Sequence, residues 1–208
     1  RAAVEAILSC DTADQPAAAE TDDSLDAFIA RRAADLTAYQ NAAYAKRYTD
    51  LIGRIGDTES EKTPGRTDLT EVVAKALYKL MAYKDEYEVA RLYTDGRFEA
   101  KLRDQFDAGA KLRFHLAPPL LAERDPGTGR LRKTEYGPWV FTAFRLLAGL
   151  KGLRGTAFDI FGRSEERRAE RRLIAEYITT LETLMTGLSD ANHEIATDIA
   201  RLPMSIRG

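Results

Sequence analysis

The chain has 208 residues, 44% of them apolar and 31% charged, with a formal net charge of -2. That length supports one sizeable core or two small ones, and the balanced signs exclude an overall electrostatic pull toward nucleic acid or anionic lipid. No apolar run reaches bilayer length and no basic-then-apolar leader opens the chain, so no membrane partner is expected and a cytoplasmic setting fits.

The opening RAAVEAIL lacks methionine and is helical in character, so residues 1–9 read as the end of a preceding domain. Residues 10–23, CDTADQPAAAETDD, are acidic, alanine-rich and broken by Pro16, which predicts a linker. Cys10, the single cysteine, has only acids around it; these raise a thiol pKa, so it reads as a passive thiol. With one cysteine and two histidines far apart, no zinc-ligand spacing and no iron-sulfur set is present.

Residues 24–208 read as one helical domain. A long helix is expected from Ser24, with Leu25, Phe28, Ile29, Leu36, Tyr39, Tyr44, Tyr48, Leu51 and Ile55 at helical spacing. GDTESEKTPGR, 56–66, has the Gly, Pro and polar content of a loop. A second amphipathic helix starts near Thr67 with Leu69, Val72, Val73, Ala76, Leu77, Leu80 and Met81 on its apolar face. KDEYEVARLYTDG continues helical to Gly96, a left-handed stop, and RFEAKLRDQF adds a short helical piece. The tyrosines among these segments, Tyr39, Tyr44, Tyr83, Tyr87 and Tyr93, suit either an aryl pocket or a core with polar tips at its rim.

KLRFHLAPPLL, 111–121, then alternates: Leu112, Phe114 and Leu116 share one side of a strand, Arg113 and His115 the other, and Pro118 and Pro119 end it. His115 is a structural hydrogen-bond donor or a proton carrier near neutrality. DPGTG, 125–129, carries turn chemistry for a small hairpin. PWVFTAFRLLAGL starts a helix at Pro138 whose apolar residues leave little room for a polar face, so it is expected to be the most buried. After the irregular KGLRGTAFDIFG, a helix from Ser164 to about Leu188 carries a seam at Leu173, Ile174, Tyr177, Ile178, Leu181, Leu184, Met185 and Leu188. A last helix, from Ser189, ends before Pro203, and His193 at its start reads as a surface or capping-region residue.

The fold class is therefore mainly α, with long amphipathic helices and one small antiparallel strand patch. Carried backward, the seam of the long helix becomes charged at Glu170, Arg167 and Arg163, with Arg171 beside them. Either the helix projects into water or pairs across a domain boundary, or these arginines meet acids or an anionic ligand on a neighbouring surface. No phosphate-binding glycine loop and no nucleophile-elbow serine occurs, and the paired carboxylates sit at helix-face spacing beside bases.

YKDEYEVARLYTDG, KLRFHLAPPLLAERDPGTG, EYGPW, FRLLAGLKGLRGTAFDIFG and ERRAERRLIAEY, in this order, resemble the C-terminal region of single-chain indolepyruvate ferredoxin oxidoreductases, from about residue 24 onward. The resemblance implies a parent enzyme that decarboxylates aryl 2-oxo acids to acyl-CoA with thiamine diphosphate and Mg, and passes electrons through iron-sulfur clusters to ferredoxin. That family's thiamine and cluster motifs lie upstream, so this chain is expected to bind no cofactor and to carry no established catalytic residue. The expected partners are the upstream thiamine and oxidoreductase domains and a second copy in a homo-oligomer. Arg113, His115, Arg163, Arg167 and Arg171 are the candidate substrate, CoA or docking contacts. The alternative is a structural spacer or dimerisation module whose apolar seams make subunit contacts.

Overall fold

The computed structural model describes residues 24–105, 114–116 and 134–206. The linker 10–23, Cys10, Leu112, Arg113 and the DPGTG turn lie outside them. The architecture is mainly helical: α1 (Leu25–Tyr39), α2 (Ala42–Lys62), α3 (Asp68–Met81), α4 (Glu86–Thr94), α5 (Arg97–Gln105), β1 (Phe114–Leu116), β2 (Thr134–Tyr136), α6 (Trp139–Gly149), α7 (Glu165–Gly187) and α8 (His193–Arg201). Short 3-10 turns follow α6 and α8, at Lys151–Leu153 and Leu202–Ser205. The strand patch is the antiparallel pair β1 and β2, in which His115 stands opposite Glu135.

The single long helix expected from Ser24 is two. Asn41 Oδ1 accepts from Tyr44 N–H at 2.8 Å and starts α2 afresh, satisfying an orphan donor that a continuous helix would not expose. The loop expected at 56–66 is mostly helix, because α2 runs on to Lys62. The expected unbroken run to Gly96 is interrupted after Met81, and Asp85 caps α4 by accepting from Glu88 N–H at 2.8 Å. Gly96 then takes φ +88°, the left-handed conformation suited to a helix end.

The main core gathers Leu36 of α1, Tyr48, Leu51, Ile52 and Ile55 of α2, Leu69, Val73 and Leu77 of α3, Ile174, Tyr177 and Leu181 of α7, and Ala196 and Ala200 of α8. The three-four seam of α7 is thus buried as its spacing requires, with Leu173 at the margin. Tyr177 closes the α7–α8 contact by donating its hydroxyl to Ala200 O at 2.7 Å. A second packing centre joins α4, α5 and α6 through rings: Tyr93 stacks on Phe144 at 5.3 Å and meets Phe98 edge-on at 4.9 Å. The expectation that α6 is the most buried helix fails. Only Val140 is fully buried there, whereas Trp139 and Leu146 are 62% and 70% exposed.

Candidate functional site

Arg167 and Arg171 of α7 do not project into water. They enter a polar centre formed by the end of α1, the start of α4, the segment 154–163 and the first turns of α7, while Arg163 and Arg168 at its edge are exposed. Arg154, which no helical or strand period singled out, is its hub. Its guanidinium donates from Nε to Asp85 Oδ2, from Nη2 to Asp85 Oδ1 at 2.7 Å, and from Nη1 to Tyr39 O at 2.6 Å. It also lies 3.7 Å from the Tyr39 ring centroid. Asp85 is both the cap of α4 and the counter-ion, and both side chains are almost wholly buried. A bidentate fork of this kind is what a buried guanidinium needs to offset its lost hydration. Burial opposes the Arg154 charge, yet the Asp85 hydrogen bonds together with the electrostatic pull of Tyr39, Asp85 and Tyr83 outweigh it and hold its pKa above the ordinary value.

Asp159, also buried, organises the turn before α7. Its oxygens accept from Gly155 N–H and Gly162 N–H at 2.8 Å each and from the Tyr87 hydroxyl at 3.3 Å. Burial, followed by the nearby Asp159 charge, pushes the Tyr87 hydroxyl up to about 12. Gly162 is required here because the Asp159 carboxylate and the Arg171 guanidinium occupy the place a Cβ would take.

Arg167, Arg171 and Arg163 come together around this turn. Arg167 is mostly buried, donating to Glu170 at 2.7 and 3.0 Å and lying 3.7 Å from Glu86 Oε1 on α4, with its guanidinium 5.6 Å from the Tyr83 ring centroid. Burial pushes the Glu170 carboxyl above the usual carboxylate range despite the opposing pull of Arg167. Arg171 Nη2 donates to Gly162 O, while Nη1 lies 3.9 Å from Asp159 Oδ2. Arg163 donates to Ala157 O, and Arg168, which sequence reasoning did not single out, donates twice to Arg163 O. Of the other candidates, His115 is placed on β1 opposite Glu135, and Arg113 lies outside the described residues.

A second polar cluster joins α2, α3 and α8, and it corrects the surface reading of His193. Glu59 and His193 are each only 1% exposed. Glu59 accepts from Leu69 N–H, Thr70 N–H and the Thr70 hydroxyl, and His193 Nε2 lies 2.6 Å from its Oε1. Arg66 Nη1 stands 3.0 Å from His193 Nδ1. A guanidinium can only donate, so Nδ1 is the acceptor, Nε2 carries the proton, and the imidazole is neutral. Burial works against the Glu59 charge, but hydrogen bonds from Thr70, His193 and Leu69 outweigh it and hold the carboxyl below the usual range. The polar stretch SDANHEIA contains no local sign of this, because the partner comes from α2.

Tyr39, Tyr44 and Tyr48 pack in or against the core with their hydroxyls bonded. Tyr39 donates to Tyr83 O at 3.1 Å, Tyr44 to Met81 O at 3.0 Å and Tyr48 to Ala74 O at 3.0 Å. Among the described residues no group of three or more His, Cys, Asp and Glu is placed to hold a metal ion, and no helix is long and apolar enough to cross a membrane.

These features define a mainly helical domain whose buried charges are met by an opposite charge, as in Arg154 and Asp85, or by several hydrogen bonds, as in Glu59. Residues 25–208 match a family described as a family of unknown function (DUF6537), and the chain belongs to that family. No curated protein and no solved structure matches the chain.

Proposed function

We propose that this domain is an accessory, non-catalytic part of a cytoplasmic indolepyruvate-type (aryl 2-oxo acid) ferredoxin oxidoreductase. It docks on the thiamine-diphosphate domains of the same polypeptide and helps wall the substrate or CoA site. The thiamine diphosphate, Mg and iron-sulfur clusters belong to those other domains, which also serve ferredoxin. The resemblance of the quoted motifs in matching order supports the identity of the parent. Docking is supported by one observation above the others: α6 leaves Trp139 and Leu146 exposed, and the segment it leads into exposes Phe158 and Ile160 at 76% and 59%. Large apolar side chains left in water beside an arginine-rich turn are suited to burial against another protein surface.

The test uses the full-length oxidoreductase carrying Trp139→Ser with Leu146→Ser. Docking through this face requires a loss of 2-oxo acid-dependent ferredoxin reduction, or release of the domain to limited proteolysis, with helicity retained. Wild-type turnover together with wild-type protease resistance contradicts it.

A second reading is a dimerisation module. It is favoured by another exposed apolar group at the end of the described chain, Ile195, Leu202, Met204 and Ile206, which are 64%, 63%, 45% and 42% exposed. Sedimentation of the chain with Ile195→Asp and Leu202→Asp separates the two, because only a dimer held by this face falls to monomer.

A further inference from the structure

The turn 155–163 and the base of α7 enclose a groove of about 500 Å³ lined by Gly155, Thr156, Asp159, Arg163, Arg168 and Arg171. We propose that this groove is a binding site for a phosphoryl oxyanion. The charge on its walls is lopsided. Arg163 and Arg168 are exposed and spend their hydrogen bonds on the neutral carbonyls of Ala157 and Arg163. No ion pair among the described residues engages either guanidinium, in contrast to Arg154 and Arg167 close by.

The third wall, Arg171, is only loosely paired. Its Nη1 is buried and makes no hydrogen bond, being 3.9 Å from Asp159 Oδ2, too far to donate. The Arg171 side chain as a whole is 35% exposed and lines the groove, so its charge is felt by an anion there. Asp159, whose oxygens accept from Gly155 N–H, Gly162 N–H and the Tyr87 hydroxyl, is one carboxylate against three guanidiniums, so the lining stays net positive. Two further acids, Glu165 and Glu166, line a separate hollow with Arg168, Ala169 and Arg172. Three planar forks around one opening match the several acceptor oxygens of a phosphoryl group better than the two of a carboxylate. The groove also opens at the first turn of a 23-residue helix, where the backbone dipole adds to the attraction.

The site concerns this chain's own residues and stands or falls apart from the docking reading. Its test is calorimetric titration of the 208-residue chain at low ionic strength with inorganic phosphate and, separately, with ADP. Saturable one-to-one binding is expected, weakened about tenfold by Arg168→Gln and by Arg171→Gln, the loss of one charge-assisted contact. Arg54→Gln, an exposed arginine of α2 whose nearest acid is Glu182 at 3.9 Å, is expected to change nothing. Tighter binding of ADP than of phosphate assigns the group to a nucleotide-like carrier; equal binding assigns the free ion. Arg168 is exposed, so its variant decides the matter if Arg171→Gln misfolds. Absence of saturable binding by both probes, or equal weakening in Arg54→Gln, overturns the site.

Discussion

Glu59 and His193 are 134 positions apart in the chain and 2.6 Å apart in the fold. Through that contact α8 is fastened to α2, while the same carboxylate holds the first N–H groups of α3. One buried side chain therefore determines how three helices meet. Replacing Glu59 by Ala leaves two backbone donors, a hydroxyl and an imidazole N–H without an acceptor. A loss of about 3 kcal/mol or more is expected, since each buried donor left without an acceptor costs about 1 to 3 kcal/mol. Urea denaturation of Glu59→Ala, His193→Ala and the double variant checks it: losses that simply add would mean that the two residues do not act together.

The same carboxylate makes stability depend on pH, with a definite sign. The folded-state pKa of Glu59 lies below the unfolded value because its hydrogen bonds outweigh burial. The unfolded chain thus binds the proton more tightly, and the contribution is complete above the ordinary glutamate range, about 4.3, and lost as pH falls through the folded value. Urea midpoints measured from neutral pH down through this range are expected to fall more steeply for the wild type than for Glu59→Gln. Parallel curves would refute the assignment.

Arg154 is a corresponding fastening between α1 and α4. It ties the end of α1 to the cap of α4 through Tyr39 O and Asp85. Arg154→Ala strands the buried Asp85 charge and is expected to cost about 3 to 5 kcal/mol. Arg154→Lys keeps the charge but not the fork, so it should recover only part of this. Thermal melts of the two variants decide: equal melting of lysine variant and wild type would show that charge alone suffices.

What the residue pattern reveals and what it hides have a physical division. The α7 seam was legible because Ile174, Tyr177 and Leu181 recur at the helical period and face one core. Gly96 was legible because a left-handed helix end favours glycine. Asn41 was not: its cap interrupts an apolar period that would otherwise run on, and local capping overrode the pattern. Gly56, Pro64 and the charges between them look like a loop until Glu59 is seen to be anchored from α3 and α8. The apolar run of α6 suggests burial, but periodicity says which residues are greasy and not whether the described chain supplies a cover. Arg163, Arg167 and Arg171 were found by following the seam into charge. Arg154 and Arg168, which complete the centre, had no such guide, because Arg154 lies in an irregular segment and Arg168 off the seam.

The tyrosines yield the last prediction, at alkaline pH. Burial, reinforced by Asp85 for Tyr39 and by Tyr83 for Tyr44, drives their hydroxyl pKa values far above the ordinary one, and burial alone does so for Tyr177. A hydroxyl whose folded pKa is raised stabilises the fold below the unfolded value, about 10, and that stability disappears as pH climbs beyond it. Each of these hydroxyls also donates to a backbone carbonyl, which an ionised phenolate could no longer do. The tyrosines should therefore ionise together with unfolding rather than one by one. Absorbance at the phenolate band and far-ultraviolet circular dichroism, followed together through an alkaline titration, should show one shared transition above pH of about 10 for the buried set. Full tyrosine ionisation with helicity intact would show that burial does not protect them.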